Sequence, residues 1–346
     1  LSMWISNTAS TIMMLPIAAS VVALIEQNSN DKKGISMFGL SLMLGIAYSA
    51  NIGGMATIIG TPPNVVFVGY VQELLNYEID FASWMMIGVP ISGLLILITY
   101  LMLTRVLYPS TMGKIEHADQ LINTELAKLG RMSREEKMVA IIFGLTAAMW
   151  IFKRPINSLL PSPVLNDTAT AIIGGILMFV TPISFKSGKT LVPWTATSRL
   201  PWGILLLFGG GMTLAKGMET TGLSDLIGDA VAQNPFSTWV IFLILIATML
   251  FLTELMSNVA LATIFIPVTI AIGQGTGINP LVLSIPVAMA ASCAFMMPIS
   301  TPPNAIVFSS GKIRMTQMVR AGFLLNVISV GVLLFCAFTL IEWVFG

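Results

Sequence analysis

The chain is poor in the side chains from which most catalytic and metal centres are built. Among its 346 residues it has one histidine, His117, and two cysteines, Cys293 and Cys336. Histidine and cysteine are the usual zinc ligands and the usual partners in nucleophilic catalysis. The composition therefore does not indicate an enzyme. The cysteines lie in separate apolar segments, and we expect both to be free, buried thiols.

Charge is scarce as well. Charged residues form 10% of the chain, 55% of the residues are hydrophobic, and the mean hydropathy is +0.88, whereas a soluble domain typically has about 25% charged residues. With a net charge of +1, the chain lacks the positive surface that a nucleic acid attracts. Apolar runs such as Trp84–Thr104 and Met318–Phe345 are long enough to cross a bilayer of about 30 Å. We predict an all-α polytopic membrane protein.

Two polar motifs each occur twice, in the same order, within these apolar segments. Ser-Asn begins at Ser6 and again at Ser257, and Thr-Pro-Pro-Asn begins at Thr61 and is repeated identically at Thr301. Duplicated helix-breaking motifs at membrane depth are typical of secondary transporters built from inverted repeats. We predict two related halves, each with one Ser-Asn element and one broken transmembrane helix.

The Thr-Pro-Pro motifs predict where the long helices unwind, because proline has no backbone N–H and clashes with the preceding turn. We expect breaks within residues 35–71 and 281–309, the first also involving Asn51-Ile52-Gly53-Gly54. Unwound backbone at membrane depth is tolerated where it lines a cavity or is buried in protein. Its carbonyls can bind cations, and the restarted helix offers N–H groups to an anion. A plain proline kink is the alternative, but duplication of the motif pair argues against it.

The Ser-Asn elements could be ordinary helix caps. A cap belongs at a water interface, however, and these lie between apolar arms. The arms after the two tips, residues 9–25 and 260–272, look too short to span comfortably, and the arm before the second tip is residues 239–256. We therefore predict two re-entrant hairpins whose tips meet the broken helices.

No lysine, arginine or histidine occurs in the four motifs or their apolar flanks. A dianion bound there would meet only dipoles, hydroxyls and amides, which offset the cost of its burial weakly. Co-bound cations are the remaining source of positive charge, and oxygen ligands suit Na⁺. Glu254, three residues before the second Ser-Asn, is either a structural hydrogen-bond acceptor or a proton-coupling site.

The distribution of lysine and arginine orients the chain. If the hairpins re-enter and each broken segment crosses once, only Lys153, Arg154 and Lys216 lie outside, which leaves 14 of the 17 basic residues in the cytoplasm. The C-terminus then lies outside. The cytoplasmic loops contain Lys32, Arg105–Lys137, Lys186–Arg199 and Lys312–Arg320.

These residues resemble the divalent anion/sodium symporter (DASS) family, which includes sodium-coupled dicarboxylate, citrate and sulfate transporters of bacteria and animals. The resemblance covers the whole chain. Because the sequence opens directly on the first motif, we expect the family's N-terminal spans, including the first arm of the first hairpin, to be missing from it. The matching motifs are Ser6-Asn7-Thr8, Asn51-Ile52-Gly53-Gly54, Gly60-Thr61-Pro62-Pro63-Asn64, Thr253-Glu254, Ser257-Asn258-Val259 and Pro298 with Ser300-Thr301-Pro302-Pro303-Asn304.

The resemblance implies an inverted-repeat, elevator-type homodimer in the plasma membrane, with a small dicarboxylate anion and the lipid bilayer as partners. The transport domain would comprise residues 1–104 and 236–346. Residues 105–137 would form a cytoplasmic interfacial segment, and residues 138–235 would form the scaffold spans and an interfacial helix.

The resemblance also implies the site residues. One Na⁺ would be bound by Ser2, Ser6, Asn7 and Gly60. A second would be bound by Thr253, Met256 (through its backbone), Asn258 and Ser300. The substrate would contact Ser6, Asn7, Thr8, Ser257, Asn258 and Val259, with Thr61, Pro62, Thr301 and Pro302 behind them. Val259 stands where the first tip has Thr8, so a contact there would use the backbone N–H.

The predicted function is symport of C4-dicarboxylates, such as succinate, fumarate and malate, with two or more Na⁺ and no organic cofactor. A sodium-independent dicarboxylate exchanger and a Na⁺-coupled sulfate or citrate carrier are alternatives within the same fold. An intramembrane enzyme would need a nucleophile–base pair, and Glu254 has no evident partner. A channel could also use re-entrant hairpins, but the duplicated cation-type sites favour alternating access.

Overall fold

In the described residues the regular structure is helical apart from one small strand pair. The computed structural model describes residues 1–28, 31–109, 127, 130–159, 164–184, 188–200, 202–233 and 236–346, without the side chains of residues 27, 28, 32 and 199. Its helices are α1 (Asn7–Asn28), α2 (Lys32–Gly54), α3 (Pro62–Leu75), α4 (Phe81–Leu101), α5 (Arg134–Ile151), α6 (Lys153–Ser158), α7 (Asp167–Val180), α8 (Gly203–Thr220), α9 (Leu223–Ala232), α10 (Thr238–Leu252), α11 (Asn258–Thr276), α12 (Pro280–Ala290), α13 (Pro302–Ser309), α14 (Met315–Cys336) and α15 (Glu342–Phe345). Turns of 3₁₀-helix occupy Ile58–Gly60 and Trp194–Arg199, π-helical turns occupy Met102–Leu107 and Ala337–Ile341, and β1 (Pro182–Ser184) pairs antiparallel with β2 (Lys189–Thr190).

Several of these helices have the length and composition of membrane spans. Within the described residues, five stretches qualify: Asn7–Glu26, Lys33–Gly54, Phe81–Leu107, Asn258–Thr276 and Met315–Phe345. An all-α polytopic membrane protein is thus confirmed. The expected free, buried thiols Cys293 and Cys336 are confirmed as well.

The arms that follow the two Ser-Asn tips are longer than the sequence suggested. α1 has 22 residues and α11 has 19, because each helix begins at the asparagine of its tip. The expectation that these arms are too short to span was therefore wrong, and length alone gives no support for re-entry. α10 also ends at Leu252, four residues before the predicted Met256, because Thr253–Ser257 form a non-helical turn.

The helices predicted within residues 35–71 and 281–309 are both interrupted, but the interruption lies before the prolines of each motif. α2 remains helical through Gly54, so the loosening expected at Asn51–Gly54 is wrong. The chain is also not unwound at the prolines themselves, because Pro62 and Pro302 are the first residues of α3 and α13. Proline is well tolerated there, since the first N–H of a helix has no intrahelical partner. The preceding Thr61 and Thr301 are extended, with φ/ψ of −146°/141° and −140°/149°, as expected before proline.

One of two compact units contains both tips and both breaks. This unit comprises residues 1–79, 84–115 and 204–346, and its largest fully buried side chains include Tyr48, Tyr70 and Trp84. A Cβ on Gly211 of α8 would collide with side chains of α3 and α11. Gly211 therefore allows α8 to pack closely against these two helices.

The second unit comprises residues 80–83 and 116–203. Its described part contains α5, α6, α7 and the strand pair. The Asp80 carboxylate accepts hydrogen bonds from Ser83 N (3.1 Å) and Oγ (2.9 Å) and pairs with the Arg154 guanidinium. Lys153 Nζ lies 3.2 Å from Asp167 Oδ1. These ion pairs tie the residues before α4 and the ends of α6 and α7 into one cluster.

Part of the predicted organisation lies outside the described residues. These parts are residues 110–126 and 128–129 of the interfacial segment, with His117, and Lys186 of a predicted cytoplasmic loop. The division into transport and scaffold domains stays a prediction.

Candidate functional site

The first Ser-Asn tip lies directly against the end of α2. Asn7 Oδ1 is 2.5 Å from the position that a Cβ on Gly54 would occupy, and the Ser2 hydroxyl is closer still to the corresponding position on Gly53. Gly60 in turn approaches the Gly54 carbonyl. Only residues without a side chain allow such an approach. The structure thus brings Ser2, Asn7 and Gly60 together.

Three amide oxygens at this first break are buried without a partner. They are Asn7 Oδ1, Asn51 Oδ1 and Asn64 Oδ1. The other end of the Asn64 amide is satisfied, because its Nδ2 donates to Thr57 O at 2.8 Å and Gly54 O at 3.3 Å. Thr57 Oγ1 donates to Met3 O at 2.5 Å and so holds the first tip in place. The break therefore contains acceptor oxygens that no described donor reaches.

Buried donors of α4 bind two carbonyls where α2 ends. Trp84 Nε1 donates to Met55 O at 3.0 Å, and Ser92 Oγ donates to Ile52 O at 2.9 Å, which also accepts from Met55 N at 3.1 Å. A buried carbonyl without a partner is costly away from water. α4 therefore stabilises the interruption without contributing to the predicted ligands.

The second break repeats the hydrogen bonding of the first at the same sequence offsets. Asn304 Nδ2 donates to Ala294 O at 3.0 Å and to Met297 O at 3.1 Å. These carbonyls lie ten and seven residues before the asparagine, as Gly54 and Thr57 do for Asn64. In both copies the threonine and second proline are buried, whereas the first proline is exposed. The motif duplication is therefore also a duplication of local structure.

The second tip places two predicted cation ligands in contact. Thr253 Oγ1 lies 2.6 Å from Asn258 Oδ1 and 3.1 Å from Ala291 O. Ser300 Oγ donates to Met297 O at 2.7 Å. The side chains of Thr253 and Ser300 are buried, which suits a site shielded from water.

Glu254 accepts hydrogen bonds from the unwound chain of the second break. Its Oε1 accepts from Phe295 N (2.7 Å), Met296 N (2.9 Å) and Asn326 Nδ2 (2.7 Å), and its Oε2 accepts from Met297 N (3.1 Å). The residue is 3% exposed. Of the two roles open from sequence, these contacts favour the structural one.

The residues predicted to contact substrate lie at helix starts. Ser6 is exposed and its Oγ accepts from Ala9 N at 3.2 Å. Ser257 is also exposed, and α11 has no side-chain cap at its start. The remaining members are partly exposed (Thr8, Val259), exposed (Pro62, Pro302) or buried (Thr61, Thr301), and Met256, a predicted Na⁺ ligand through its backbone, is exposed.

From the sequence, Asn51 was expected only to take part in the first helix break, and no contact was predicted for its side chain. Its Nδ2 lies within hydrogen-bond distance of Ala294 O, Thr301 Oγ1 and Asn304 Oδ1, so it connects the first broken helix to the second. The signal was faint, since Asn51 matches Ala291 when the Thr-Pro-Pro-Asn motifs are aligned.

A helical membrane protein with two interrupted helices, lined mainly by amide, hydroxyl and carbonyl oxygens, has the features of a secondary transporter. The chain is a member of the sodium:sulfate symporter transmembrane region family, whose model matches residues 1–346. It is 36% identical over 352 residues to the sodium-dependent dicarboxylate transporter SdcS of Staphylococcus saprophyticus, covering 100% of this chain and 68% of that protein. It is 38% identical over 353 residues to the SdcS protein of Staphylococcus aureus strain USA300, with the same coverage. The family resemblance and the expectation of a transporter rather than an enzyme are confirmed.

Proposed function

We propose that the chain carries C4-dicarboxylates such as succinate, fumarate and malate across the plasma membrane together with two or more Na⁺. One observation supports this above the others. In each half a polar tip or turn without basic residues meets an interrupted helix, so a dianion held there needs positive charge from co-transported cations. Sodium and dicarboxylate both appear in the names of the relatives, and sulfate appears in the family name.

The first cation site is proposed at Ser2, Ser6, Asn7 and the Gly60 backbone. The fit rests on Asn7 Oδ1, which is buried and unpartnered. Leaving such an oxygen unpaired costs about 1–3 kcal/mol, and a Na⁺ ligand would remove that cost. Amide, hydroxyl and carbonyl oxygens are the donors that a hard cation prefers.

The second cation site is proposed at Thr253, Asn258, Ser300 and the Met256 backbone. The Thr253 hydroxyl has one proton and faces two oxygens, Asn258 Oδ1 and Ala291 O. If the proton turns to Ala291 O, the hydroxyl lone pairs and Asn258 Oδ1 both become available. The pair can then act as cation ligands without movement of the backbone.

The substrate carboxylates are proposed to bind at the starts of α1 and α11. These helix starts present backbone N–H groups, which attract anions, and the uncapped start of α11 leaves its N–H groups free of side-chain competition. The proposed contacts are Ser6, Asn7, Thr8, Ser257, Asn258 and the Val259 backbone, with Thr61, Pro62, Thr301 and Pro302 behind them. Two Na⁺ and one dianion would together be neutral.

Contacts near the chain ends support the proposed inverted topology with the C-terminus outside. Lys312 Nζ lies 2.7 Å from Glu26 Oε1, which fits two loops on the cytoplasmic side. Asn279 Nδ2 donates to Phe345 O at 2.9 Å, which fits two segments on the other side. Re-entry of the first hairpin fits the position of Asn7, because α1 begins at an interruption of the neighbouring helix. An elevator movement in a homodimer completes the proposal.

Uptake of labelled succinate into proteoliposomes tests the proposal. We expect uptake to require an inward Na⁺ gradient, and uptake that is equally fast with K⁺ would defeat it. Inhibition by excess sulfate or citrate would indicate the alternative carriers, and sodium-free counterflow would indicate the exchanger. Asn7→Ala and Asn258→Ala should raise the Na⁺ requirement or abolish uptake. Asn166→Ala is the control, because Asn166 caps α7 at Ala169 N (2.6 Å) in the other unit.

A further inference from the structure

Asn51 connects the two broken helices through a single buried amide. Its Nδ2 lies 3.0 Å from Thr301 Oγ1, 3.3 Å from Asn304 Oδ1 and 3.3 Å from Ala294 O. Asn51 itself is in the last turn of α2, next to the glycines that receive the first tip. Its backbone therefore belongs to the first break, while its side chain binds the second.

Only the first half supplies an amide that reaches the break of the other half. The second half has Ala291 at the position of Asn51, so no reciprocal amide reaches Asn64, and Asn64 Oδ1 is buried without a partner. Asn304 Oδ1, in contrast, accepts from Asn51. Because the second break forms with alanine at this position, the local geometry of a break does not explain the amide of Asn51.

The amide is also poorly suited to a purely structural role. Asn51 is 1% exposed, and its Oδ1 has no hydrogen-bond partner, which is costly in a buried position. Its Nδ2 has two hydrogens but three oxygens within reach. The donor can therefore exchange acceptors when the segment carrying Thr301 and Asn304 shifts.

We infer that Asn51 is a positioning residue that couples the two cation sites. This inference rests on the proposed function. A cation held by Asn7 and Gly60 would order the end of α2, and the Asn51 amide would transmit that order to Thr301. Thr301 directly follows Ser300, a proposed ligand of the second cation. Coupling between sites is reciprocal, so each cation raises the affinity of the other.

Loss of the amide should weaken cooperativity while leaving the ligands of both sites in place. Coupling between two sites typically changes affinity by about 5- to 150-fold. We expect Asn51→Ala to raise the Na⁺ concentration at half-maximal uptake by at least about 5-fold. Its Hill coefficient for Na⁺ should fall to about 1, whereas the maximal rate at saturating Na⁺ should be retained.

The test is a Na⁺ titration of succinate uptake by the full chain in proteoliposomes. Ser92→Ala is the matched control, because Ser92 is a buried donor (3% exposed) that bonds Ile52 O, within the first half only. Ser92→Ala should keep the Hill coefficient of the wild type. An unchanged Hill coefficient in Asn51→Ala, or an equal fall in Ser92→Ala, would overturn the inference.

The outcomes separate this inference from the proposed function. Sodium-independent uptake by the wild type would defeat the proposed function. Cooperative sodium dependence in both wild type and Asn51→Ala would defeat only the coupling role. If Asn51→Ala does not yield folded protein, Asn51→Ser takes its place in the Na⁺ titration. Its shorter side chain should also lower the Hill coefficient for Na⁺, and an unchanged coefficient would overturn the inference.

Discussion

Glu254→Gln should destabilise the protein without removing its sodium coupling. A glutamine can retain the Oε1 acceptor of Phe295, Met296 and Asn326, but its NH₂ then faces Met297 N, which is also a donor. Three charge-assisted bonds become neutral ones, a loss of about 1 kcal/mol each, and one donor loses its partner at about 1–3 kcal/mol. Relief from burying a charge offsets part of this sum, so we expect a net loss of about 2–5 kcal/mol.

The assay for Glu254→Gln combines thermal unfolding of the purified protein with sodium-driven uptake. At about 1.4 °C per kcal/mol for a chain of this length, the unfolding midpoint should fall by about 3–7 °C, while uptake at permissive temperature keeps its Na⁺ dependence. Glu73→Gln, at an exposed carboxylate of α3, should leave the midpoint unchanged. A Glu254→Gln protein as stable as the wild type, but with uptake that no longer responds to pH, would refute the structural role and indicate proton coupling.

Three further predictions follow from particular contacts. Gly54→Ala places a Cβ 2.5 Å from the carboxamide oxygen of the first tip and should raise the Na⁺ requirement of uptake by about 10-fold or more, since 1.4 kcal/mol of lost ligand contact is tenfold. Asn304→Ala should destabilise more than Asn64→Ala, by about 1–3 kcal/mol in thermal unfolding, because Asn304 uses both ends of its amide and Asn64 only one. Burial raises the pKa of the Asp80 carboxyl, yet neighbouring hydrogen bonds and the Arg154 guanidinium hold it below its usual value. Its contribution to stability is therefore present above about pH 4 and lost as pH falls through the folded-state pKa, so the midpoints of Arg154→Ala and wild type should differ at pH 7 and converge in acid.

Each of these predictions has a matched comparison. Gly331→Ala adds a methyl group where no atom lies within 4 Å, and it should keep the wild-type Na⁺ requirement. An equal loss of stability in Asn304→Ala and Asn64→Ala would contradict the proposed difference in hydrogen bonding between the two breaks. If the unfolding midpoints of Arg154→Ala and wild type still differ in acid, Arg154 acts through packing and not through the Asp80 carboxylate.

The duplicated motifs predicted the parts of the structure that local chemistry dictates. The paired prolines disfavour a helical conformation at the residue before them, so Thr61 and Thr301 mark the interruptions, whereas single prolines such as Pro16 and Pro267 remain inside helices. The absence of basic residues near them is equally local and gave the hypothesis of sodium coupling. Both features can be read directly from the sequence.

The sequence did not predict how far each helix extends before its motif. Gly53 and Gly54 suggested unwinding, but they remain helical, and their lack of a side chain instead allows the close approach of the first tip. The pairing of Asn51 with Thr301 joins residues 250 positions apart, and no local pattern specifies such a contact.

The central claim is that a dianion is held among neutral dipoles only when cations are bound with it. Equilibrium binding of labelled succinate to the purified protein, measured in Na⁺ and then with choline in its place, tests this directly. We expect binding in Na⁺ and none that is measurable in choline. Equal succinate affinity in the two buffers would contradict the account.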